Sequence, residues 1–264
     1  MDIDEVTKYL CEILPQAGRI LLKYFSKKNY SQHHKGKLDV GTEADIASEE
    51  FLKQKILAKF PKALFLAEET ATCDYLSFKH TKNLFVIDPL DGTMNFTRGN
   101  PNFAISVALV NASQSILGVC YAPVSGDLYW AQEDKQGAYC NGRKIRVSLT
   151  NKLNEASFAC DWVPYNLDKR LELIEWLKKV APHVRQIKSM GCAVNDSLSL
   201  AKGVIDVYLN PGLKPWDVAA TSLIVKKAGG VVSDPIGHKW HLFESDLLMT
   251  NSKLYRKVVK ILKF

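Results

Sequence analysis

The sequence predicts a mixed α and β protein built from two layered subdomains that meet at a cleft. In residues 1–148, two helical patterns are followed by short apolar runs and tight-turn signals, as expected for an antiparallel-rich sheet. In residues 149–264, helical and strand-like patterns alternate. A chain of 264 residues can bury the core that this division needs. We therefore predict an N-terminal α+β subdomain over 1–148 and a C-terminal α/β subdomain over 149–264.

The first subdomain begins with helical signals. Apolar residues recur at helical spacing over residues 4–25, and Pro15 is expected to kink or split this helix. A second helix is predicted over about residues 44–60, where Pro61 stops it. Strands are predicted at residues 64–66, 84–87, 103–110, 115–121, 127–132 and 138–139, with a tight-turn signal at Asn141-Gly142. The first two strands each end in acidic residues, as buried strands do when they deliver side chains to a site.

The second subdomain is predicted to alternate between helices and strands. Helices are expected at residues 168–180, 192–202, 216–228 and 252–262, and strands near 156–161, 205–209, 231–233 and 246–250. Gly229-Gly230 ends the third of these helices, because glycine readily adopts the left-handed conformation that closes a helix.

Composition and charge narrow the functional classes. The six cysteines lie far apart, without the spacing of a zinc site, which indicates reduced thiols and a reducing compartment. The N-terminus is acidic, and no apolar run approaches the roughly 20 residues that span a bilayer. We therefore expect a cytoplasmic protein without a membrane partner. The net charge of +7 is compatible with anionic substrates or weak nucleic-acid contact, but no aromatic-plus-basic motif supports the second.

The most informative segment is residues 86–96, VIDPLDGTMNF. A hydrophobic strand delivers Asp88 at its end, and Asp91 follows three residues later, so a tight bend can turn both carboxylates toward one point. The Leu90 carbonyl is a third oxygen, and Gly92-Thr93 are placed to open a helical turn whose free N–H groups receive a phosphate. Adjacent carboxylates repel each other unless a cation lies between them, and oxygen ligands favour Mg²⁺, with Mn²⁺ as a substitute. The alternative is an ordinary strand–turn–helix in which the Asp residues form turns and caps.

Other acidic residues stand where they could join this site. Glu68-Glu69 end another apolar run, Asp217 precedes an apolar helix, and Asp45 lies at a helix start. Taken alone, Asp217 is typical of a helix N-cap, and Asp45 of a cap or a first-turn acid.

Together these segments resemble the signatures of the inositol monophosphatase family. The matching segments are residues 41–45 (GTEAD), 68–69 (EE), 88–96 (DPLDGTMNF), 216–220 (WDVAA) and 228–230 (AGG). They occur in the family's order and at similar separations, and the resemblance covers nearly the whole chain. It implies a layered αβαβα sandwich of the sugar-phosphatase type. It also implies an enzyme that hydrolyses a phosphate monoester, with inositol 1-phosphate as the expected substrate.

The resemblance implies a two-metal site. Glu68, Asp88 and the Leu90 carbonyl are expected to hold one Mg²⁺. Asp88, Asp91 and Asp217 are expected to hold a second. Such a pair stabilises the entering and leaving oxygens of an in-line displacement.

The resemblance also assigns catalytic roles beside the metals. Asp45 is expected to orient the Thr93 hydroxyl, and Thr93 and Glu68 are expected to orient the attacking water. Glu69 is expected to serve as an outer-shell or third-metal residue. Lys35 corresponds to a lysine of the family's metal-site loop.

Substrate contacts implied by the resemblance depart from the family's pattern at two positions. The expected contacts are Asp91, Gly92, Thr93, Gly191, Cys192, Ala193, Asn210 and Asp217. Asn210 stands where inositol-type members commonly carry Glu, and Cys192 replaces a hydroxyl residue. Both differences affect substrate recognition and leave the expected metal ligands unchanged. The reaction class is therefore better defined than the substrate.

Alternatives therefore stay open for the function. Fructose-1,6-bisphosphatase or 3′-phosphoadenosine 5′-phosphate phosphatase activity is compatible with the same metal ligands. A regulatory protein that uses the same fold to contact transcription machinery is a further alternative. A homodimer is expected from the resemblance alone.

Overall fold

Two β-sheets with helices between and around them form the part of the chain that the computed structural model describes, residues 1–27, 30–34, 40–72, 74–163 and 166–263. The helices are α1 (Ile3–Lys27), α2 (Glu43–Lys59), α3 (Thr93–Thr97), α4 (Leu167–Val180), α5 (Ala193–Ala201), α6 (Pro215–Lys227) and α7 (Tyr255–Lys263). The strands are β1 (Gln32–His34), β2 (Val40–Thr42), β3 (Leu64–Ala67), β4 (Leu84–Asp91), β5 (Ala104–Asn111), β6 (Gln114–Ala122), β7 (Asp127–Gln132), β8 (Ala138–Cys140), β9 (Arg143–Ile145), β10 (Ser157–Ala159), β11 (Gln186–Lys188), β12 (Val207–Asn210), β13 (Gly230–Ser233) and β14 (Leu247–Asn251).

The first sheet has seven strands in the order β3-β4-β5-β6-β7-β8-β9. Its strands pair antiparallel except for β3 and β4, which run parallel. The second sheet has five strands in the order β11-β10-β12-β14-β13. Here β11, β10 and β12 run parallel, while β14 and β13 pair antiparallel. A separate antiparallel pair, β1 and β2, precedes α2.

The helices form three layers around the two sheets. α1 and α2 cover one face of the seven-stranded sheet, α5 and α6 fill the space between the sheets, and α4 and α7 cover the outer face of the five-stranded sheet. Alternating side chains of β12 show this arrangement, because Val207 and Leu209 pack with the outer helices while Tyr208 packs with the central ones. The layers therefore run αβαβα, and the predicted fold class is confirmed.

A glycine allows the central helix layer to approach the seven-stranded sheet closely. A Cβ atom on Gly118 of β6 would lie 2.6 Å from the backbone oxygen of Ala220 in α6. Any larger residue at this position would push α6 away from the sheet. Since α6 also carries Asp217 at its first turn, this contact fixes the position of a predicted site residue.

The predicted helices and strands are present, with several omissions. Pro15 does not split its helix, since α1 is continuous over Ile3–Lys27, and the alternative expectation of a kink stays a prediction. Buried Leu10, Ile13 and Leu14 surround Pro15, and their burial offsets the cost of about 3 kcal/mol that an internal proline imposes. The sequence did not predict the short strands β1, β2, β9 and β11 or the 3₁₀ helices at Glu68–Thr70, Tyr75–His80 and Leu153–Glu155.

The two sheets come from successive parts of the chain, but the helices cross between them. The first sheet ends with β9 and the second begins with β10. α6 nevertheless packs directly on β4, β5, β6 and β7 of the first sheet. The division into subdomains 1–148 and 149–264 stays a prediction.

Among the described residues, no helix combines the length and apolar character needed to cross a membrane.

Candidate active site

The end of β4 brings two acidic side chains to the same face of the seven-stranded sheet. Residues three apart normally point to opposite faces of a strand. Here Asp88 pairs with Ser106, and Asp91 pairs with Ala104. The paired residues are therefore three positions apart on β4 but only two positions apart on β5. This irregularity is a β-bulge. It places both carboxylates on the face that α6 covers, because residues two apart on β5 share a face.

Glu68 reaches the same point from the neighbouring strand. β3 runs parallel to β4, with Ala67 opposite Ile87. Glu68 follows Ala67 and Asp88 follows Ile87, so the two acids occupy equivalent positions on neighbouring strands. Glu68 begins a short 3₁₀ helix as the strand ends, and its carboxyl group lies within hydrogen-bonding reach of Asp88.

Asp217 enters from the central helix layer. It is the third residue of α6, after Pro215 at the helix start. Its carboxylate accepts a hydrogen bond from the backbone N–H of Lys214 at 2.8 Å. Lys214 is the N-cap of this helix, and Asp217 supports the cap from the first turn instead of occupying the cap position that its sequence context alone suggested. Asp217 also lines the cleft with the other acids.

The four carboxyl groups of Glu68, Asp88, Asp91 and Asp217 disfavour one another's ionisation. Burial first, and then the charges of its three acidic neighbours, raise the pKa of Asp88 well above its usual range. Burial and nearby Asp91 and Glu68 likewise raise the pKa of Asp217 well above the ordinary value. Burial raises the pKa of Asp91 to about 7, against the opposing hydrogen bonds that it accepts. This concentration of buried acid is unfavourable without a compensating cation.

The acids are close enough to raise one another's pKa values, but their side chains are not arranged as a complete set of metal ligands. In the described part of the chain, no three His, Cys, Asp or Glu side chains are already gathered around one point as metal ligands. Asp91 Oδ2 is engaged by groups of the second half of the chain. It accepts hydrogen bonds from the Cys192 thiol at 2.9 Å and from the Val194 backbone N–H at 2.6 Å.

A hydroxyl–carboxylate pair lies beside the acids. Thr93 is the first residue of α3, and its Oγ1 lies 3.0 Å from both Asp45 Oδ1 and the Leu90 carbonyl oxygen. The other oxygen of Asp45 accepts from the backbone N–H and the hydroxyl of Thr42, at 2.8 and 2.5 Å. Asp45 is fully buried, so these contacts fix its carboxylate and thereby the Thr93 hydroxyl.

The turn between Asp91 and Thr93 requires glycine. Gly92 has a φ of +88°, in the left-handed region. A Cβ atom there would also lie 2.8 Å from the backbone oxygen of Asn102. The first N–H groups of α3 have no partner within the helix, and they follow directly after this turn.

One face of α2 holds three parts of the site, of which sequence reasoning found Asp45 and missed Ser48 and Glu49. Asp45, Ser48 and Glu49 share this face because they are three and four residues apart. Ser48 Oγ donates to the backbone oxygen of Pro89 at 2.9 Å. Glu49 accepts from the backbone N–H of Glu69 at 2.8 Å and from the Thr70 hydroxyl at 2.7 Å. The helical spacing from Asp45 was a signal that could have found the other two.

The far end of the cleft is built from the second sheet and α5. Gly191 and Asn210 lie there beside Asp161, another residue that sequence reasoning missed. Asp161 follows directly after the predicted strand's apolar run, the same signal that singled out Asp88. The backbone oxygens of Met190 and Gly191 accept from the Asn95 amide at 2.8 and 3.0 Å, which ties this end of the cleft to α3.

The cleft brings the predicted residues together. It has a volume of about 790 Å³ and is lined by Glu68, Asp88, Leu90, Asp91, Gly92, Thr93, Gly191, Cys192, Ala193, Asn210 and Asp217. Asp45 lies behind Thr93. Glu69 also lines the cleft, where its carboxylate lies 3.7 Å from the His33 imidazole. Lys35 lies outside the described residues. The roles assigned to these residues stay predictions.

The Cys192 thiol acts as a hydrogen-bond donor in this setting. Burial first, and then the charge of Asp91, raise its pKa well above the usual range. The protonated thiol therefore donates to Asp91 Oδ2. Its role as a substrate contact stays a prediction.

The layered fold and a cleft that gathers buried carboxylates beside a fixed hydroxyl define the class of phosphomonoesterases. The model of the inositol monophosphatase family matches residues 2–264. The chain belongs to the inositol monophosphatase family, and the predicted resemblance is confirmed. Phosphatase activity and a general dependence on metal ions go with membership of this family.

Three relatives illustrate the match. An inositol monophosphatase of Dictyostelium discoideum is 30% identical over 262 residues, which cover 98% of this chain and 96% of the relative. A fructose-1,6-bisphosphatase/inositol-1-monophosphatase of Thermotoga maritima is 31% identical over 250 residues, covering 95% and 93%. The crystal structure of extragenic suppressor protein suhB from Bartonella henselae superposes with a TM-score of 0.89 at 30% identity, covering 98% of both chains.

Proposed function

We propose that this protein is a magnesium-dependent phosphatase that hydrolyses inositol 1-phosphate to inositol and phosphate. The observation that carries the proposal is the meeting of Glu68, Asp88, Asp91 and Asp217 beside the Thr93–Asp45 pair. These acids come from distant chain segments, and their mutual repulsion serves no purpose in a purely structural role.

The donor set fits magnesium. Every candidate ligand is oxygen, which favours a hard cation over zinc. Glu68, Asp88 and the Leu90 carbonyl would hold one ion, and Asp88, Asp91 and Asp217 a second. When bound, Mg²⁺ supplies Lewis-acid charge that activates water and stabilises the leaving oxygen.

The chain's own residues would position the attacking water. When Thr93 donates its proton to Asp45, the lone pairs of its oxygen face the cleft and can accept a hydrogen bond from water. Glu68, within hydrogen-bonding reach of Asp88, can accept another. With Asp45 held by Thr42, the water is oriented before the substrate arrives, which is how positioning lowers a barrier.

Substrate recognition would divide between the two ends of the cleft. The backbone N–H groups at Gly92 and Thr93 would receive the phosphate, since the start of a helix offers unpaired donors. Gly191, Cys192, Ala193 and Asn210 would contact the alcohol part of the substrate, with Asp91 and Asp217 between the two ends.

The test is release of inorganic phosphate from inositol 1-phosphate, with Mg²⁺ and after treatment with EDTA. We expect turnover only with the metal. Asp88→Asn should lower kcat by at least about 100-fold, because the carboxylate lies between the other three acids. Asp134→Asn, an exposed acid in a surface turn, is the matched control and should retain activity. Turnover that is unaffected by EDTA, or by Asp88→Asn, contradicts the proposal.

Fructose-1,6-bisphosphatase activity is the second candidate. Arg170 lines the far end of the cleft, where its Nε donates to the Val163 backbone oxygen at 2.6 Å. Its guanidinium could offset the charge of a second phosphate, and the Thermotoga relative is named for both activities. Comparison of kcat/KM for fructose 1,6-bisphosphate and inositol 1-phosphate in the same assay ranks the two.

The homodimer and the contact with transcription machinery stay predictions.

A further inference from the structure

Three parallel strands end at the far end of the cleft. β11, β10 and β12 run parallel, so their carboxyl ends lie at one edge of the five-stranded sheet. Asp161 follows β10, Gly191 follows β11, and Asn210 ends β12. All three residues line the cleft. In open α/β sheets, ligands bind outside this edge of the strands.

Asp161 is held rigidly at this edge. Its Oδ1 accepts from the backbone N–H of Gly191 at 2.6 Å, and its Oδ2 accepts from the Tyr208 hydroxyl at 3.3 Å. A carboxylate has about four lone-pair sites, so each oxygen can accept a further hydrogen bond. Asp161 is only 7% exposed, and its exposed part faces the cleft.

Asn210 supports Asp161. Its Oδ1 accepts from the backbone N–H of Asp161 at 3.4 Å, and its Nδ2 donates to the Tyr208 hydroxyl at 3.3 Å. Both ends of this amide are therefore engaged with the protein. The contacts orient Asp161 and Tyr208, and leave the Asp161 carboxylate as the stronger acceptor at this end of the cleft.

A second carboxyl group backs Asp161 from the protein interior. Asp196 is fully buried, and neither of its carboxyl oxygens accepts a hydrogen bond from the described residues. Burial first, and then the charge of Asp161, raise the pKa of Asp196 to about 10. Burial thus favours the protonated form of Asp196, which can donate its proton toward Asp161 without adding charge to the cleft.

We propose that Asp161 is a specificity-determining residue whose carboxylate accepts hydrogen bonds from hydroxyl groups of the substrate's alcohol part. The favoured substrates are then phosphate monoesters of polyols, whose hydroxyls can pair with a buried acceptor. A site built to pair with hydroxyls discriminates strongly against analogues that lack them, because the acceptor is then left unpaired. This inference rests on the proposed phosphatase function, since it concerns the same cleft.

The experiment compares two substrates in the presence of Mg²⁺. Inositol 1-phosphate carries hydroxyl donors, whereas p-nitrophenyl phosphate carries none. Asp161→Asn replaces the charged acceptor with a neutral amide of the same shape. We expect it to lower kcat/KM for inositol 1-phosphate about 10- to 100-fold, as for loss of a hydrogen bond to a charged group, and to leave p-nitrophenyl phosphate within about two-fold. Asp168→Asn, an exposed acid at the start of α4, is the control and should change neither.

Tyr208→Phe provides a second variant in case Asp161→Asn does not fold. It keeps the Asp161 charge and removes only the hydroxyl that orients it, so we expect a smaller loss that is also confined to the polyol substrate. Equal losses for both substrates, or no loss for either, overturn the inference while wild-type turnover upholds the phosphatase function. If the wild-type protein releases phosphate from neither substrate, the proposed function fails, and the inference fails with it.

Discussion

At the residue scale, the distinctive feature is a hydroxyl held between two oxygens. Thr93 Oγ1 lies 3.0 Å from Asp45 Oδ1 and 3.0 Å from the Leu90 oxygen. The residue thus joins the buried capping network at the start of α2 to the turn that follows β4. Its oxygen is positioned by contacts on the protein side and lines the cleft.

Thr93→Val tests the role of this hydroxyl. Valine keeps the shape of threonine and removes only the oxygen, so we expect kcat for inositol 1-phosphate to fall about 100-fold as the positioned water loses a partner. The midpoint of thermal unfolding should fall modestly, because the fully buried Asp45 carboxylate loses one hydrogen-bond donor, so kcat is measured well below that midpoint. Thr93→Ser retains the hydroxyl and should recover most of the activity. If the valine and serine variants were equally active, the hydroxyl would have no part in catalysis.

At the element scale, α2 acts as a rigid support for three separate segments of the site. Asp45 contacts Thr93 at the start of α3, and Ser48 contacts the Pro89 backbone oxygen. Glu49 contacts the 3₁₀ helix that begins with Glu68. Glu49 is 2% exposed, and the Lys53 Nζ one turn later lies 2.8 Å from its Oε1. Burial of polar groups on a helix face is costly unless each is paired, and here each is paired with part of the site.

Glu49→Gln tests this support. The amide keeps the size of the side chain but weakens its hold on the Glu69 N–H and on Thr70, so Glu68 should be less well placed. We expect kcat to fall about 10-fold or more, as small misplacements do, and the Mg²⁺ concentration for half-maximal activity to rise. Glu50→Gln, at an exposed neighbouring position, is the control. A lower unfolding temperature with an unchanged Mg²⁺ response would mean that Glu49 is merely structural.

At the scale of the whole molecule, the acids join the seven-stranded sheet to the central helix layer. Glu68, Asp88 and Asp91 belong to the seven-stranded sheet and the segments that follow its strands, whereas Asp217 comes from α6 between the sheets. Burial first, and then the charges of neighbouring acids, raise the pKa values of Asp88 and Asp217, so the ionised acids repel one another. Bound cations would offset that repulsion across the cleft, so metal binding should stabilise the fold as a whole.

Magnesium should therefore raise the unfolding temperature. A ligand that binds only the folded state at about 100 times its Kd stabilises that state by about 2.7 kcal/mol. We expect calorimetry to show a higher midpoint in Mg²⁺ than in EDTA. Asp217→Asn should reduce this difference, while the exposed Asp134→Asn should leave it intact. Identical midpoints with and without the metal would contradict a magnesium site at these acids.

Local patterns were sufficient to predict most of the elements and the acidic residues of the site. Helical periodicity located α1, α2 and α6, and the apolar runs located β4 and β5 within a few residues. Very short elements such as β1, β2 and β11 escaped prediction, because three residues carry too little periodicity to distinguish a strand from a loop. Pro15 shows the opposite limit, since the break that it signals locally does not interrupt α1, whose buried face packs against the sheet.

The sequence by itself determined which chemistry is available, because the residue types and their order along the chain fix the oxygen ligands, the hydroxyl and the glycine turn. The tertiary structure alone decided which side chains face one another. The bulge that aligns Asp88 with Asp91, the thiol of Cys192 against Asp91, and the placing of Glu49 and Asp161 all depend on register and on contacts between distant segments. A local pattern records none of these, because side-chain direction is set by the packing of whole elements.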